Sequence, residues 1–130
     1  MTDPIADLFT RIRNAGNAGR NKLDLPHSVV KENIARLLVR EGFLDEVQVT
    51  EVDNFKRMRV RLRTDLDGTS VISNIQRVSK PGCRVYKRSR DATPVLRGLG
   101  LGIYSTSKGM LSDTQCREQR VGGEYVGRVW

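Results

Sequence analysis

Apolar residues recur at helical intervals near the N-terminus and at alternate positions later, and this change of period is what most constrains the fold. The first stripe consists of Ile5, Leu8, Phe9 and Ile12. Asp3 before Pro4 predicts an N-cap and the first residue of a helix. A second stripe consists of Val30, Ile34, Leu37 and Leu38. With Ser28 as its cap and Gly42 at its end, it predicts a second helix. Between the two helices we expect a loop over residues 14–21 and a short strand over 22–25.

Alternating apolar residues predict strands in the rest of the chain. Met58, Val60 and Leu62 alternate with arginines that fall on the opposite face of the strand: Arg57, Arg59, Arg61 and Arg63. Such a face suits either phosphate binding or solvation beside acids such as Glu46 and Glu51, and we favour solvation. Later strands are predicted over residues 71–78, 84–88, 101–107 and 124–130. One short helix is predicted by the capping-box spacing from Ser112 to Gln115. The pattern therefore predicts an α/β lobe followed by a β-rich lobe, with a boundary near the turn Asp67-Gly68.

The net charge of +8 and the pI near 10.1 indicate a polyanionic partner. Residues 1–65 contain 12 basic and 10 acidic residues, whereas residues 66–130 contain 11 basic and 5 acidic residues. Most of the excess positive charge thus lies in the second half.

Several functional classes are disfavoured. Cys83, Cys116 and His27 are too few for a zinc site, which needs about four ligands, so we expect no metal and no cofactor. Both cysteines are expected to be reduced packing residues. The opening residues Met1-Thr2-Asp3-Pro4 do not resemble a signal peptide. No apolar stretch approaches the roughly 20 residues that span a bilayer. We expect a cytosolic protein with no membrane partner.

Two segments of the second half are suited to RNA. Alternation places Arg84, Tyr86 and Arg88 on one face of a strand, where cations meet phosphates and a ring stacks on a base or sugar. The competing interpretation is a solvated face or packing at the lobe junction. The second segment, Ser105-Thr106-Ser107-Lys108-Gly109, offers three hydroxyls, an ammonium group and a flexible glycine, although by spacing alone it is only a polar turn.

Enzymatic interpretations of these segments fail. Ser105-x-x-Lys108 matches the nucleophile signature of penicillin-binding proteins, but the Ser-Asp-Asn and Lys-Thr-Gly elements of that class are absent. The glycines at 98, 100 and 102 lack a surrounding βαβ unit, so we interpret them as residues of a tight sheet. His27 has no apparent Ser or Cys partner. We therefore predict no catalytic residue. Two other classes stay open: a nucleic-acid-binding regulator, which would share the charge but for which no helix-turn-helix or similar motif is evident, and a small hydrolase using Ser105 and Lys108, which should react with an active-site serine probe, a reaction that we expect to fail.

Taken together, these motifs closely resemble the bacterial type of small-subunit ribosomal protein eight. The similarity covers essentially the whole chain. It is carried by the following motifs: the segment from Asp3 to Ala15, Ile34-Ala35 through Glu41-Gly42-Phe43, Ser79-Lys80-Pro81-Gly82 with Arg84-Val85-Tyr86-Lys87, Gly98-Leu99-Gly100, the Ser105–Gly109 segment, Gly122-Gly123-Glu124 and Val129-Trp130.

The resemblance implies an α+β fold with an αβαββ lobe over residues 1–66 and a β-rich, RNA-binding lobe with one short helix over residues 67–130. It implies a structural component of the small ribosomal subunit, in the cytoplasm, that binds the central domain of small-subunit rRNA and supports assembly. The implied partners are that rRNA, neighbouring small-subunit ribosomal proteins and, as for some family members, its own mRNA. The implied contacts are Arg84, Tyr86, Lys87, Arg88, Ser105, Thr106, Ser107, Lys108 and Gly109, with Glu124 close to the hydroxyl segment and secondary contacts at Asn14 and Lys31.

Two departures from the family pattern stand out. Val29 occupies a position that is often basic, which weakens a phosphate contact by the second helix. Arg120 replaces a glycine common after the last short helix, so we expect that helix to end differently.

Overall fold

The computed structural model describes residues 3–130. The prediction that the opening residues do not form a signal peptide was made on residues 1–4, so it lies partly outside the described residues. The described chain forms two compact units, which are residues 4–73 and residues 74–130 together with Asp3. These units contain three α-helices and two antiparallel sheets. The predicted α+β class is therefore confirmed. The lobe boundary predicted at residues 66 and 67 falls in the loop that precedes the second unit.

The first unit has the element order αβαββ. Its elements are α1 (Pro4–Asn17), β1 (Lys22–Pro26), α2 (Val29–Arg40), β2 (Leu44–Val52) and β3 (Phe55–Leu62). The sheet has the order β1-β3-β2 with both pairs antiparallel. Alternation along β3 buries Met58, Val60 and Leu62, as predicted.

Helix α1 is longer than the sequence suggested. It buries Leu8, Phe9 and Ile12 but continues to Asn17, so the loop predicted from residue 14 was wrong and Asn14 is helical. Gly16 prompted that prediction. A Cβ at this glycine would lie 3.3 Å from Cβ of Ser70. Gly16 therefore lies inside the helix, where it permits the close approach of Ser70, and it does not end the helix.

Helix α2 begins as predicted, because the Ser28 hydroxyl accepts a hydrogen bond from the Lys31 backbone N–H at 3.2 Å. The predicted buried face was displaced by one residue. Val30 is 43% exposed, whereas Lys31 is only 6% exposed. The buried stripe follows intervals of three and four from Lys31 through Ile34 to Leu38, which turns Val30 toward solvent.

The arginine face of β3 is exposed and carries mixed charge. Arg59 lies opposite Asp24, and its Nη2 is 3.3 Å from the carboxylate Oδ2. Arg61 lies opposite Glu46. These pairings agree with the solvated interpretation that we favoured.

The second unit is built around one antiparallel sheet of five strands. Its elements are β4 (Ile75–Arg77), β5 (Tyr86–Lys87), β6 (Leu101–Thr106), β7 (Gly109–Ser112), α3 (Asp113–Gln119) and β8 (Gly123–Val129), with 3-10 turns at Ser89–Asp91 and Leu96–Gly98. The strand order is β4-β8-β6-β7, and β5 pairs with the N-terminal end of β8 on the same edge as β4. β8 therefore contacts three strands and organises the sheet.

Two strand predictions for this unit were too long, and one strand was missed. β4 and β5 occupy only parts of residues 71–78 and 84–88. β7 was not predicted because it has four residues and runs directly into a helix. The capping box is confirmed, since the Ser112 hydroxyl accepts from the Gln115 N–H at 3.1 Å and the Gln115 side chain accepts from the Ser112 N–H at 3.0 Å.

The core of this unit centres on a pair of stacked rings. The ring centroids of Tyr104 and Tyr125 are 4.7 Å apart, and Cys116 packs with them. Burial raises the pKa of the Cys116 thiol. Cys83 is exposed, so its predicted packing role was wrong: it lies in the turn closed by its own hydrogen bonds with Lys80.

Gly100 and Gly102 of the glycine series serve close packing, as predicted, whereas a Cβ at Gly98 would meet nothing within 4 Å and that residue has a φ of +93°. A Cβ at Gly100 would lie 2.8 Å from the carbonyl oxygen of Val129 and 2.7 Å from a methyl group of Val95.

Candidate nucleic-acid interface

One face of the second sheet presents a row of predicted site residues. Tyr86 of β5 lies opposite Glu124 of β8, which lies opposite Ser105 of β6. Side chains of directly opposed residues share a face, with Cβ atoms about 4.5–5.5 Å apart. Tyr86 is 70% exposed and unobstructed on this face. The structure thus brings together an aromatic ring, a carboxylate and a hydroxyl, although Tyr86 and Glu124 are 38 residues apart in sequence.

Glu124 is the centre of a hydrogen-bond network on this face. Its Oε2 accepts from the hydroxyl of Ser79 and, at 2.9 Å, from Nη1 of Arg84. The same Ser79 hydroxyl accepts from the backbone N–H of Val85 at 3.1 Å. The carboxylate therefore fixes the Arg84 guanidinium beside Tyr86 and joins the 79–85 turn to β8.

The pKa of Glu124 lies below its usual value. Burial of the carboxyl raises its pKa, but the hydrogen bonds from Ser79 and Arg84 and the positive charges of Arg84 and Arg77 outweigh burial. Glu124 is therefore a stable anion, which positions a cation rather than exchanging protons near neutral pH.

Two consecutive glycines allow three backbone segments to meet at this row. A Cβ at Gly123 would lie 2.2 Å from the carbonyl oxygen of Ser105, and a Cβ at Gly122 would lie 2.5 Å from that of Lys87. Any larger residue would separate β8 from β5 or β6. The spacing of the row therefore depends on Gly122 and Gly123.

The hydroxyl segment forms the tight turn between β6 and β7. Thr106 lies opposite Gly109, which leaves Ser107 and Lys108 at the tip. The Thr106 hydroxyl donates to the Gly109 carbonyl oxygen at 2.8 Å and accepts from the Lys108 N–H at 3.0 Å. Gly109 has a φ of +100°, which suits glycine. Thr106 and Gly109 thus shape the turn, while Ser107 and Lys108 are exposed.

Not all predicted contacts lie on this face. Lys87 follows Tyr86, so it points to the opposite face, where its Nζ lies 5.0 Å from the ring centroid of Tyr125. Arg88 lies beyond the end of β5 and forms an exposed ion pair with Asp91 at 3.2 Å. The predicted set therefore divides into residues of the Tyr86 face, Lys87 behind it and Arg88 beside it.

The two secondary positions belong to the first unit. Asn14 is exposed on α1. Lys31 is mostly buried on α2, and burial lowers the pKa of its ammonium group. The charge of Asp7 opposes this shift, while Arg11 and Arg57 reinforce it.

Sequence reasoning missed Ser79, which is fully buried and links Glu124 to the backbone of Val85. The only available signal was its position before the turn residues Lys80-Pro81-Gly82, which does not reveal its partner.

Within residues 3–130, no three His, Cys, Asp or Glu side chains are grouped so that they could hold a metal ion. Helices long and apolar enough to cross a membrane are also absent from this part of the chain.

The model of the family described as Ribosomal protein S8 matches residues 3–130. Among similar curated proteins is the small ribosomal subunit protein uS8 of Streptococcus pneumoniae serotype 19F, strain G54. It is 50% identical over 130 residues, which cover all of this chain and 98% of the relative. The uS8 protein of S. pneumoniae strain Hungary19A-6 has the same identity and coverage.

Proposed function

The chain belongs to the ribosomal protein S8 family, and on that premise we propose that it binds the central domain of small-subunit rRNA directly and supports assembly of the subunit. The family membership makes it a structural component of the small ribosomal subunit in the cytoplasm, with rRNA and ribosomal proteins as partners, and not an enzyme. The binding site and the RNA region are the parts that we propose.

The observation that carries the proposal is the row of Tyr86, Glu124 and Ser105 beside the exposed Ser107-Lys108 turn. An A-form major groove is too narrow for side chains to read, whereas irregular RNA exposes bases, sugars and 2′-hydroxyls. Tyr86 offers a surface for stacking, and the turn offers a hydroxyl and a cation. These groups suit an irregular RNA helix better than a regular duplex.

Charge provides the attraction, and the polar groups provide selectivity. Arg84, Arg88 and Lys108 are exposed on or beside the row. Cations of this kind attract phosphate of any sequence, and the attraction weakens as the salt concentration rises. Arg84 and Arg88 have carboxylate partners of their own in Glu124 and Asp91, so RNA must compete for them or share them.

Ser107 and Thr106 provide a direct test, because one hydroxyl is exposed at the tip and the other stabilises the turn. Ser107→Ala should weaken binding of a central-domain rRNA fragment by about 1–3 kcal/mol in filter binding, with little change in protein stability. Thr106→Val should lower stability as well, because the turn loses both hydrogen bonds. Unchanged RNA affinity for Ser107→Ala would remove Ser107 from the site.

The remaining partners extend the same proposal. Contacts at Asn14 and Lys31 would make the first unit a secondary RNA surface, and binding to its own mRNA would use an RNA that imitates the rRNA site. Asn14 is accessible for such a contact, while only the exposed fraction of Lys31, about 6%, is available.

A further inference from the structure

The second sheet has a basic groove on the face opposite Tyr86. It is lined by Gln76, Lys87, Thr93, Tyr125, Arg128 and Trp130. The Arg128 guanidinium carbon lies 5.5 Å from the ring centroid of Trp130, and Lys87 Nζ lies 5.0 Å from that of Tyr125. Arg128 Nε also donates to Gln76 Oε1 at 3.0 Å. Both cations are therefore held in place by aromatic rings.

The two cations share this face because of an irregularity in β8. Tyr125 pairs with Tyr104, and Gly127 pairs with Ile103, so Val126 is an extra residue. Without it, strict alternation would place Tyr125 and Arg128 on opposite faces. The bulge is what brings Arg128 to the same side as Lys87 and Tyr125.

The charge of the groove is entirely basic. Its lining, all within the described chain, includes no Asp or Glu side chain. This distinguishes Lys87 and Arg128 from Arg84 of the Tyr86 face and Arg88 beside it, which each have a carboxylate partner. The cations of the groove can thus meet an anion without displacing a carboxylate of the lining.

We infer that this groove binds the phosphate backbone of a second RNA segment, so that the unit contacts RNA on both faces of its sheet. The inference rests on the proposed RNA-binding function and extends it to a second surface. Lys87 lies opposite Gly123, five residues before Arg128 on β8, which separates the two backbone positions by roughly 15 Å along the strand. Two cations that follow one another along β8 suit a polyanion that runs along the strand.

An acidic peptide is the competing occupant, because the lining also includes Leu96, whose apolar side chain is 52% exposed and offers a contact to an apolar residue of a peptide. The residues that hold the cations favour RNA. Arg128 lies over the Trp130 ring and uses Nε to bond Gln76, so its two terminal Nη groups face a phosphate as a pair of parallel donors. The Thr93 hydroxyl adds a group that bonds to phosphate or a 2′-OH.

The test measures a second RNA on a protein whose first face is already occupied. The full chain is saturated with unlabelled central-domain rRNA fragment, and binding of fluorescent oligouridine is followed by anisotropy at low salt. Arg128→Gln should weaken oligouridine binding about tenfold, the effect of losing a charged hydrogen bond. Arg90→Gln removes the same charge from an exposed residue outside the groove and should change it less than about twofold. Arg128→Lys, which keeps the charge but loses the planar stack, should fall between them.

Affinity for the unlabelled fragment separates this inference from the proposed function. Arg128→Gln should leave that affinity unchanged, whereas Ser107→Ala should weaken it and leave oligouridine binding unchanged. Equal effects of Arg128→Gln and Arg90→Gln would overturn the groove as an RNA site. Tighter binding of oligoglutamate than of oligouridine, with the same dependence on Arg128, would overturn it in favour of an acidic protein. Failure of the fragment to bind at all, with Arg128-dependent oligouridine binding retained, would count against the proposed function alone.

Discussion

Gly123 is the residue whose substitution should most directly disturb the RNA face. A Cβ added there lies 2.2 Å from the Ser105 carbonyl oxygen and 3.0 Å from the Thr106 methyl group. Real Cβ atoms essentially never approach closer than 3.0 Å, so β8 and β6 must separate by about 0.8 Å. The obstacle is backbone, which cannot rotate away as a side chain can.

We expect Gly123→Ala to lower the free energy of unfolding by about 2–3 kcal/mol, the upper part of the range for overpacking. It should also weaken RNA binding, because the displaced strand moves Ser105 relative to Glu124 and Tyr86. Gly82→Ala is a matched control: its Cβ would meet nothing within 4 Å, and its φ is not positive. That change should shift stability by less than about 0.5 kcal/mol.

Urea unfolding followed by circular dichroism measures the stability change, and filter binding measures the RNA affinity. Equal stability of the two alanine variants would refute the inference that Gly123 is required for close approach. Loss of stability without loss of RNA affinity would refute the claim that the row forms the binding face.

Three further changes test other parts of the structure by urea unfolding. Arg120 ends α3 with a φ of +57°, a left-handed conformation that is strained for a residue with a side chain, so Arg120→Gly should add about 1 kcal/mol of stability. Gln119→Gly within the helix should remove about as much. A loss of stability in Arg120→Gly would contradict the inference that the backbone of Arg120 is strained. Ser112→Ala removes the N-cap hydroxyl and should cost about 1 kcal/mol, and no change would argue against the capping box. The depressed pKa of Glu124 means that its contribution is present above the unfolded pKa and lost as the pH falls through the folded pKa. Glu124→Gln should therefore reduce the loss of unfolding free energy as the pH falls. An unchanged pH dependence of the unfolding free energy would exclude this carboxyl as one of the groups that cause that loss.

Local patterns were sufficient to predict the elements that are stabilised by local interactions. The capping box at Ser112 and the N-cap at Ser28 were identified because their partners lie three residues away. The burial of Met58 and Val60 followed from alternation alone. Gly16 misled the prediction for α1 because a glycine that permits packing against Ser70 looks the same in sequence as one that ends a helix.

The candidate site was predictable in its residue types but not in its arrangement. The basic and hydroxyl residues of the second half indicated RNA, yet the pairing of Tyr86 with Glu124 depends on strands far apart in sequence. Lys87 was grouped with Tyr86, although β5 separates their side chains onto opposite faces. The basic groove depends on the bulge at Val126, which a strict alternation pattern does not reveal.

The most direct test of the central claim is binding of the purified protein to a central-domain rRNA fragment and to a plain RNA duplex across a salt series. We predict a preference for the fragment that persists at moderate salt, because hydrogen bonds and stacking on the Tyr86 face are less sensitive to salt than phosphate attraction. Equal and steeply salt-dependent binding to both RNAs would contradict specific recognition and leave only the attraction of a basic protein for phosphate.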